Sequence, residues 1–441
     1  MPDFPEGFVF GAATSSYQIE GAVDADGRGE SIWDQFSHTP GKIDGNATGD
    51  VATDHSRRYR EDIELLARAG LDAYRFSVSW ARVYPRGWGS MNRAGLDFYD
   101  RLVDSLLENN IEPWACLFHW DLPRRVQSLG GWSARDTIGR FSDYSLTVAE
   151  RLADRVHFWV PINEPSIFAI LGHLVGVHAP GIRDLDECVA VAHHLNVATA
   201  AAADALRSVG DDLEIGNALA LNWIEPASDS GSDVDAAARR DAFMNRAFLE
   251  PLFRGSYPEE VEELFLPWIL DDDLDRCCGR LDFIGVNYYT RLKVAAKKSA
   301  RLLDSTMTPV DREAEVTAMG WEVCPQGLTR QLQRLHEDFP DVPLYVTENG
   351  AAFDDQPGPT DRVDDRRRID FIERHLAACQ EAIEAGIDLR GYFVWSLLDN
   401  FEWADGYGKR FGIVRVDYET LERTPKASYD WLRELATSRQ L

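Results

Sequence analysis

Lysine is almost absent from this chain of 441 residues, which has 6 lysines beside 40 arginines. Acidic residues outnumber basic ones by 74 to 46, so the formal net charge at pH 7 is −28. A negative field of this size repels nucleic acid and anionic membrane surfaces, and we expect neither as a partner. A GC-rich genome explains arginine in place of lysine but not the excess of acid. The composition therefore predicts a protein adapted to high salt, as a halophilic protein is.

Long apolar runs, targeting segments and clustered metal ligands are also missing. No stretch reaches the roughly 18 apolar residues of a membrane span, and residues 1–7 lack the basic and apolar regions of a signal peptide. The six cysteines show neither CxxC spacing nor a Cys/His cluster, so buried free thiols are expected instead of zinc ligands or disulfides. We expect a soluble, cytoplasmic protein without a metal or cofactor, and the oligomeric state stays open.

Eight short segments of apolar and β-branched residues are typical of buried parallel strands. They are residues 8–15, 72–80, 112–120, 157–165, 214–223, 283–290, 344–350 and 389–398. Amphipathic helical patterns lie between them, at residues 54–69, 96–109, 135–154, 185–209, 327–338 and 365–385. A strand and then a helix, eight times over, predicts an α/β fold, a (β/α)8 TIM barrel. No low-complexity linker divides the chain, so we expect residues 1–441 to form a single domain.

The longest connections follow strands, whereas returns from helix to strand are short. The long ones are residues 17–53, 121–133, 166–183, 291–326 and 399–424, and short returns include residues 69–71 and 341–343. Insertions after strands fall on the C-terminal face, where TIM barrels keep their active sites. The sequence therefore predicts a deep pocket at that face, enclosed by long loops.

Two glutamates, Glu164 and Glu348, each stand at the end of a predicted strand. Two carboxylates among several tryptophans suggest a sugar substrate, because sugar faces pack on indole and hydroxyls need hydrogen-bonding partners. Hydrolysis of a glycoside uses one carboxylic acid and one carboxylate. Arg75 and Tyr289 are placed to stabilise Glu348 as a carboxylate, and burial would raise the pKa of Glu164 as the acid.

Single residues at these positions also have ordinary explanations. Arg75 in a buried strand is compatible with a core salt bridge, and an isolated His119 is typical of a hydrogen-bonded core histidine. The position of both at strand ends, with Trp120 beside His119, favours the site interpretation.

The motifs in order closely resemble those of the family 1 glycoside hydrolases, the β-glucosidase family. They are Tyr-Arg-Phe-Ser-Val-Ser-Trp at residues 74–80, Phe-His-Trp-Asp-Leu-Pro at 118–123, Asn-Glu-Pro at 163–165, Asn-Tyr-Tyr at 287–289, Val-Thr-Glu-Asn-Gly at 346–350 and Trp-Ser-Leu-Leu-Asp-Asn-Phe-Glu-Trp at 395–403. Each motif alone is modest, but all of them in this order are very specific. The resemblance covers essentially the whole chain.

The resemblance implies a retaining β-glycosidase, most simply a β-glucosidase, in which Glu348 is the nucleophile and Glu164 the acid/base. Arg75 and Tyr289 match the partners of the nucleophile. The residues matching those that hold the non-reducing sugar are Gln18, His119, Trp120, Asn163, Glu402 and Trp403, with Trp395 as a platform beneath it and Phe411 on its rim. Asn222, His178 and Trp321 match positions on the aglycone side. A cis peptide bond between Trp395 and Ser396 is also implied.

Two alternatives remain open. A 6-phospho-β-glycosidase would need a small residue and a nearby cation where Glu402 and Trp403 stand, and a glutamate there disfavours it. A catalytically silent, glycan-binding relative would usually lack one of the two glutamates, and both are present. His173 replaces a common tyrosine and Arg124 a common glutamine, both expected to flank the pocket mouth. The preferred sugar (glucose, galactose or fucose) and the aglycone are not determined by the sequence.

Overall fold

The computed structural model describes residues 4–270, 272–300, 302–358 and 362–441, and within them eight parallel strands form a closed barrel. The strands are β1 (Val9–Ala13), β2 (Ala73–Ser77), β3 (Glu112–Phe118), β4 (Phe158–Ile162), β5 (Glu214–Ala220), β6 (Phe283–Asn287), β7 (Leu344–Asn349) and β8 (Leu389–Trp395). Each strand pairs with the next along the chain, and β8 pairs with β1. The predicted TIM barrel and its eight strands are confirmed.

A helix follows every strand in the described part of the chain. The helices are α1 (His55–Arg68), α2 (Arg93–Glu108), α3 (Asp136–Leu152), α4 (Leu185–Arg207), α5 (Gly231–Met244), α6 (Pro325–Asp338), α7 (Arg366–Glu384) and α8 (Ala427–Ser438). All six predicted helices are present, with ends shifted by a few residues at most. In α1, Ile63 and Leu66 are buried while Arg60 is exposed, as the sequence spacing predicts.

Aromatic side chains fill the barrel below the strand ends. Trp114, Phe283, Tyr345 and Phe393 are buried in one cluster, and Trp114 stacks on Phe158 with ring centroids 4.2 Å apart. Alternate residues of a strand share a face. Arg75 and Trp395 therefore point inward one layer above Ala73 and Phe393, towards the C-terminal face.

Small sheets and short helices occupy the loops. One sheet joins Trp223–Pro226, Arg291–Ala296 and Ser305–Met307, and another pairs Val414–Val416 with Arg423–Pro425. The short helices are Ser16–Ile19, Ile32–Ser37, Asp44–Asn46, Trp80–Val83, Arg124–Gln127, Gly131–Ser133, Pro165–Ala169, Ile170–Val175, Arg246–Phe248, Glu250–Phe253, Glu262–Phe265, Asp273–Cys277 and Trp403–Asp405. The β5–β6 connection departs from the simple plan, because α5 packs against the first small sheet. Four short helices then lead to β6.

All six cysteines are free thiols, five of them buried and Cys278 partly exposed, as their spacing predicts. None of the helices in the described ranges is long and apolar enough to cross a membrane.

Candidate active site

A cavity of about 610 Å³ opens at the C-terminal ends of the strands and holds both glutamates. The size is within the usual range for small-molecule sites. Most predicted site residues line it: His119, Trp120, Glu164, Asn222, Tyr289, Trp321, Glu348, Trp395, Glu402, Trp403 and Phe411, together with His178. Gln18, Arg75 and Asn163 are buried next to these residues and contact them through hydrogen bonds.

Glu348 lies near the end of β7, where the pairing with both neighbouring strands becomes irregular. Such irregularities often redirect a side chain beside an active site. One carboxylate oxygen forms a buried ion pair with Arg75, and the other accepts a hydrogen bond of 2.6 Å from the Tyr289 hydroxyl. The side chains of Arg75 and Glu348 are 1% and 4% exposed. The negative charge of Glu348 is therefore matched by a fixed cation and a phenol donor.

Burial raises the pKa of Tyr289 well above its ordinary value, and the nearby charges of Glu348 and Glu164 raise it further. The phenol consequently keeps its proton throughout the neutral range and remains a donor to Glu348.

Glu164 follows β4 and has a left-handed backbone, with φ of 46°, immediately before the helix Pro165–Ala169. Its Oε1 accepts a hydrogen bond of 3.0 Å from Asn287. Burial and then the charge of Glu348 raise the pKa of Glu164, Asn287 and Arg75 oppose the change, and the net result is a rise from 4.5 to about 8. Glu164 is thus a neutral acid at pH 7, in a cavity shared with the arginine-paired Glu348.

Asn163 connects the two glutamates. Its Oδ1 accepts hydrogen bonds from Arg75 at 2.8 Å and from Asn287 at 3.1 Å. Two donors at this oxygen fix the orientation of the amide, so its nitrogen faces Nε2 of His119 at 3.1 Å. Burial, and then Arg75, lowers the pKa of His119 well below its ordinary value, so the imidazole is neutral. Since Nε2 accepts from Asn163, the ring proton lies on Nδ1.

The His119 Nδ1 has no hydrogen-bond partner in the described part of the chain. A buried donor without a partner costs free energy unless a bound molecule satisfies it. His119 lines the cavity, so this N–H is available to an oxygen of a ligand.

Gln18 supports the loop after β8. Its amide nitrogen donates to Asn400 Oδ1 and to the Phe401 carbonyl, both at 2.9 Å, and lies 3.4 Å from Glu402. Burial raises the pKa of Glu402 well above its ordinary value, and the charges of Asp405, Glu348 and Glu164 raise it further. Glu402 is therefore a half-buried carboxyl that can accept further hydrogen bonds from polar groups of a ligand.

Indole rings form much of the remaining wall. Trp120 and Trp403 pack with centroids 4.7 Å apart, and the Trp120 N–H donates to the Asn163 carbonyl at 3.0 Å. Trp120 can therefore contact a ligand with its ring but not with its N–H. The peptide bond between Trp395 and Ser396 is cis, as expected. Phe411, expected on the rim, is buried in the wall beside Trp395.

Other residues were missed by sequence reasoning or lie outside the cavity lining. Asn287 was recognised only as part of a strand end, although it binds both Asn163 and Glu164. Its position as a polar residue closing a buried strand was the available indication. His173 is buried and packs on Phe168, and Arg124 is an exposed partner of Glu30. Neither lines the cavity, so a position beside its mouth stays a prediction for both.

Comparison with known proteins agrees with this geometry. The model of Glycosyl hydrolase family 1 matches residues 1–441. The chain belongs to glycosyl hydrolase family 1. "Beta-glucosidase A" of Thermotoga maritima is 46% identical over 432 residues, 97% of this chain and 96% of that protein. The "1,4-beta-D-glucan glucohydrolase" of Thermotoga neapolitana is 46% identical over 437 residues, 98% of this chain and 97% of that protein.

A solved structure, the family 1 β-glucosidase from Thermotoga maritima, superposes with a TM-score of 0.96 at 45% identity. It covers 100% of this chain and 99% of that one. The family 1 assignment and the barrel are therefore supported by sequence and by structure, over the same full length.

Proposed function

We propose that this family 1 glycosidase is a retaining β-glucosidase that removes terminal, non-reducing β-D-glucosyl residues, with β-galactosyl and β-fucosyl residues as further substrates. The observation that supports it most is the unequal pair of glutamates. Glu164 is a neutral acid held by Asn287, whereas Glu348 is paired with Arg75 and Tyr289. Retaining hydrolysis requires one carboxyl of each kind on a single cavity.

In the first step, a Glu348 oxygen attacks the anomeric carbon and the glycosidic C–O bond breaks. The leaving oxygen takes the proton of Glu164, and a glucosyl ester of Glu348 remains. Esterification removes the negative charge of Glu348, which lowers the pKa of Glu164. Glu164, now a carboxylate, accepts a proton from water as the water attacks the anomeric carbon. The bond to Glu348 breaks, and glucose leaves in the β form.

We assign the sugar subsite to the inner part of the cavity. The His119 N–H has no partner in the described residues, and the Glu402 carboxyl accepts one long hydrogen bond from Gln18, at 3.4 Å. Trp395, Trp403 and Trp120 offer ring surface for the C–H faces of a sugar. Gln18 and Asn163 orient these groups from behind. A phosphorylated sugar fits less well, since its phosphate would meet the half-buried Glu402 carboxyl instead of a cation.

Hydrolysis of 4-nitrophenyl β-glucoside tests the proposal. Wild-type protein should release nitrophenol, and Glu348→Ala should abolish turnover. Azide should restore part of the Glu348→Ala activity and give the α-glucosyl azide, because the small anion enters the space of the lost carboxylate. Absence of turnover by the wild type would favour the silent, glycan-binding alternative. Near-normal turnover by Glu348→Ala without azide would refute the role of Glu348.

We further propose that the enzyme works in a salt-rich cytoplasm. The excess of 74 acidic over 46 basic residues supports the salt adaptation. The six free thiols suit a reducing compartment, where disulfides are rare.

A further inference from the structure

The cavity that holds Glu164 and Glu348 also has an aliphatic wall, which the proposed reaction does not use. Three of the five methionines in the sequence, Met244, Met307 and Met319, line the cavity. Leu171 and Leu292 line it as well. These side chains come from the segments that follow β4, β5 and β6, not from the strand ends.

The charged groups near this aliphatic wall are largely engaged with one another. Arg291 forms ion pairs with Glu322 at 2.7 Å and with Glu225 at 3.2 Å. Lys293 pairs with Asp311 at 2.7 Å. A ligand that used these cations would have to replace an existing protein partner, which reduces the gain from each new contact.

Few polar groups are left for a second sugar. Asn222 and Trp321 line the cavity, and so does His178, whose Nδ1 has no partner in the described residues. The hydroxyls of Thr290 and Thr308, which also line it, already donate to backbone carbonyls. A second glucosyl unit would bring several hydroxyls into contact with the aliphatic side chains, and each hydroxyl that loses water without a new partner costs free energy. The inner part of the cavity differs, because His119 and Glu402 can each form a further hydrogen bond with a sugar hydroxyl.

We propose that the aliphatic wall selects β-glucosides with an apolar aglycone, an alkyl chain in particular, over those whose aglycone is a second sugar. The inference rests on the proposed β-glucosidase activity and adds the aglycone class. The aliphatic wall lines the same cavity as the two glutamates, so the aglycone of a bound glucoside shares one enclosed space with it. Methionine is unbranched and flexible, and a surface rich in it adapts to chains of different length.

The test compares kcat/KM for methyl, propyl, pentyl, heptyl and octyl β-glucosides with that for cellobiose. The acidity of the leaving alcohol is nearly constant across the longer alkyl glucosides, so their trend reports contact with the aglycone. We expect about a twofold rise per methylene beyond propyl, less than full burial would give because Met307 is 55% exposed. Octyl glucoside should exceed cellobiose by at least tenfold. A flat alkyl series, or cellobiose equal to or better than octyl glucoside, would overturn the inference.

Substitutions in the aliphatic wall test whether it is the part of the protein that contacts the alkyl chain. The double variant Met307→Gln and Met319→Gln should lower the octyl-to-methyl ratio of kcat/KM at least fivefold, because the alkyl chain then meets amides. Met91→Gln is the matched control, since Met91 is 41% exposed and lies outside the cavity, and it should leave the ratio unchanged. An unchanged ratio in the double variant would overturn the assignment to the aliphatic wall.

If the proposed β-glucosidase activity itself is wrong, the same assays give a different result. In that case no alkyl glucoside, nitrophenyl glucoside or cellobiose is hydrolysed at all. Turnover of nitrophenyl glucoside together with a flat alkyl series refutes only the aglycone inference.

Discussion

The pH dependence of kcat/KM provides a sharp prediction, because it depends on the proton of Glu164. Burial raises the pKa of this carboxyl to about 8, with Glu348 as the second cause. The acid is active only while protonated. With a poor leaving group such as methanol, kcat/KM should therefore be sustained through pH 7 and fall about tenfold per unit well above pH 8.

The other titratable groups of the cavity do not mimic this loss. The pKa of His119 is well below its ordinary value, and burial lowers the pKa of His178 to about 3, so both rings stay neutral. The raised pKa of Tyr289 keeps its phenol protonated. Glu402 also has a raised pKa, but in the proposed assignment it binds the sugar and not the leaving group. Its ionisation should thus affect every glucoside to the same extent.

The assay compares methyl β-glucoside with 2,4-dinitrophenyl β-glucoside, whose phenolate departs without protonation. The alkaline fall should be present for methyl glucoside and absent or much weaker for the dinitrophenyl substrate. Glu164→Ala should lose most of its kcat/KM towards methyl glucoside and little towards the dinitrophenyl glucoside. Identical alkaline limbs for the two substrates, or a limb centred below pH 6, would refute the assignment of Glu164 as the acid.

Three further predictions concern stability and the support of Glu348. In the folded protein Glu164 stays protonated up to about pH 8, whereas in the unfolded chain it ionises near 4.5, so wild-type stability is lost between these values as pH rises. Thermal unfolding should therefore show that Glu164→Gln is more stable than wild type by up to a few kcal/mol at pH 8 and similar to it at pH 4. Lower stability of the variant at both pH values would contradict this prediction. Tyr289→Phe removes a 2.6 Å hydrogen bond to a carboxylate, worth about 1.5–3 kcal/mol, so kcat/KM should fall roughly 10- to 100-fold. The control is Tyr288→Phe, which loses only the hydrogen bond from its hydroxyl to the Cys324 carbonyl, and its kcat/KM should change less than about threefold. Equal losses of kcat/KM in the two variants would argue against a special role for Tyr289. Finally, the melting temperature should rise between about 0.1 and 2 M NaCl as the −28 charge is screened, and a flat or falling trend would refute salt adaptation.

The barrel could be predicted from sequence because its strands are buried on both faces and most of its helices on one, although α4 is buried on all sides from Cys188 to Ala200. Residues 344–350 show a short apolar run ending in a glutamate, and residues 54–69 show a clear helical period. Once strands alternate with helices, their C-terminal ends must meet at one face, which brings Glu164 and Glu348 into one cavity without further knowledge. The single-domain organisation stays a prediction, and one cooperative unfolding transition is its test.

The backbone conformation of the site could not be predicted from the sequence. Trp120, Glu164 and Trp403 have φ values of 79°, 46° and 47°, a region that residues other than glycine rarely adopt. Local preference argues against each of these conformations, so contacts between loops distant in sequence must impose them. The orientation of the Glu164 carboxyl was consequently not predictable from the motif alone.

Side-chain networks were also only partly predictable. The partners Arg75 and Tyr289 were expected for Glu348, and the structure brings both into contact with it. Asn287 as the partner of Glu164 was not expected, because the contact joins two strand ends that are 123 residues apart in the sequence. The aliphatic wall likewise depends on how the segments after β4, β5 and β6 fold over the barrel, which no local pattern specifies.

The stereochemistry of the first product tests the central claim most directly. If Glu348 forms a glucosyl ester that water then displaces with help from Glu164, two inversions leave the anomeric configuration unchanged. This is the outcome in retaining enzymes, whose two carboxyls lie about 5–5.5 Å apart. Proton NMR spectra recorded within the first minutes of hydrolysis of 4-nitrophenyl β-glucoside should show β-glucose first, with α-glucose appearing later by mutarotation. α-Glucose as the first product would contradict the account.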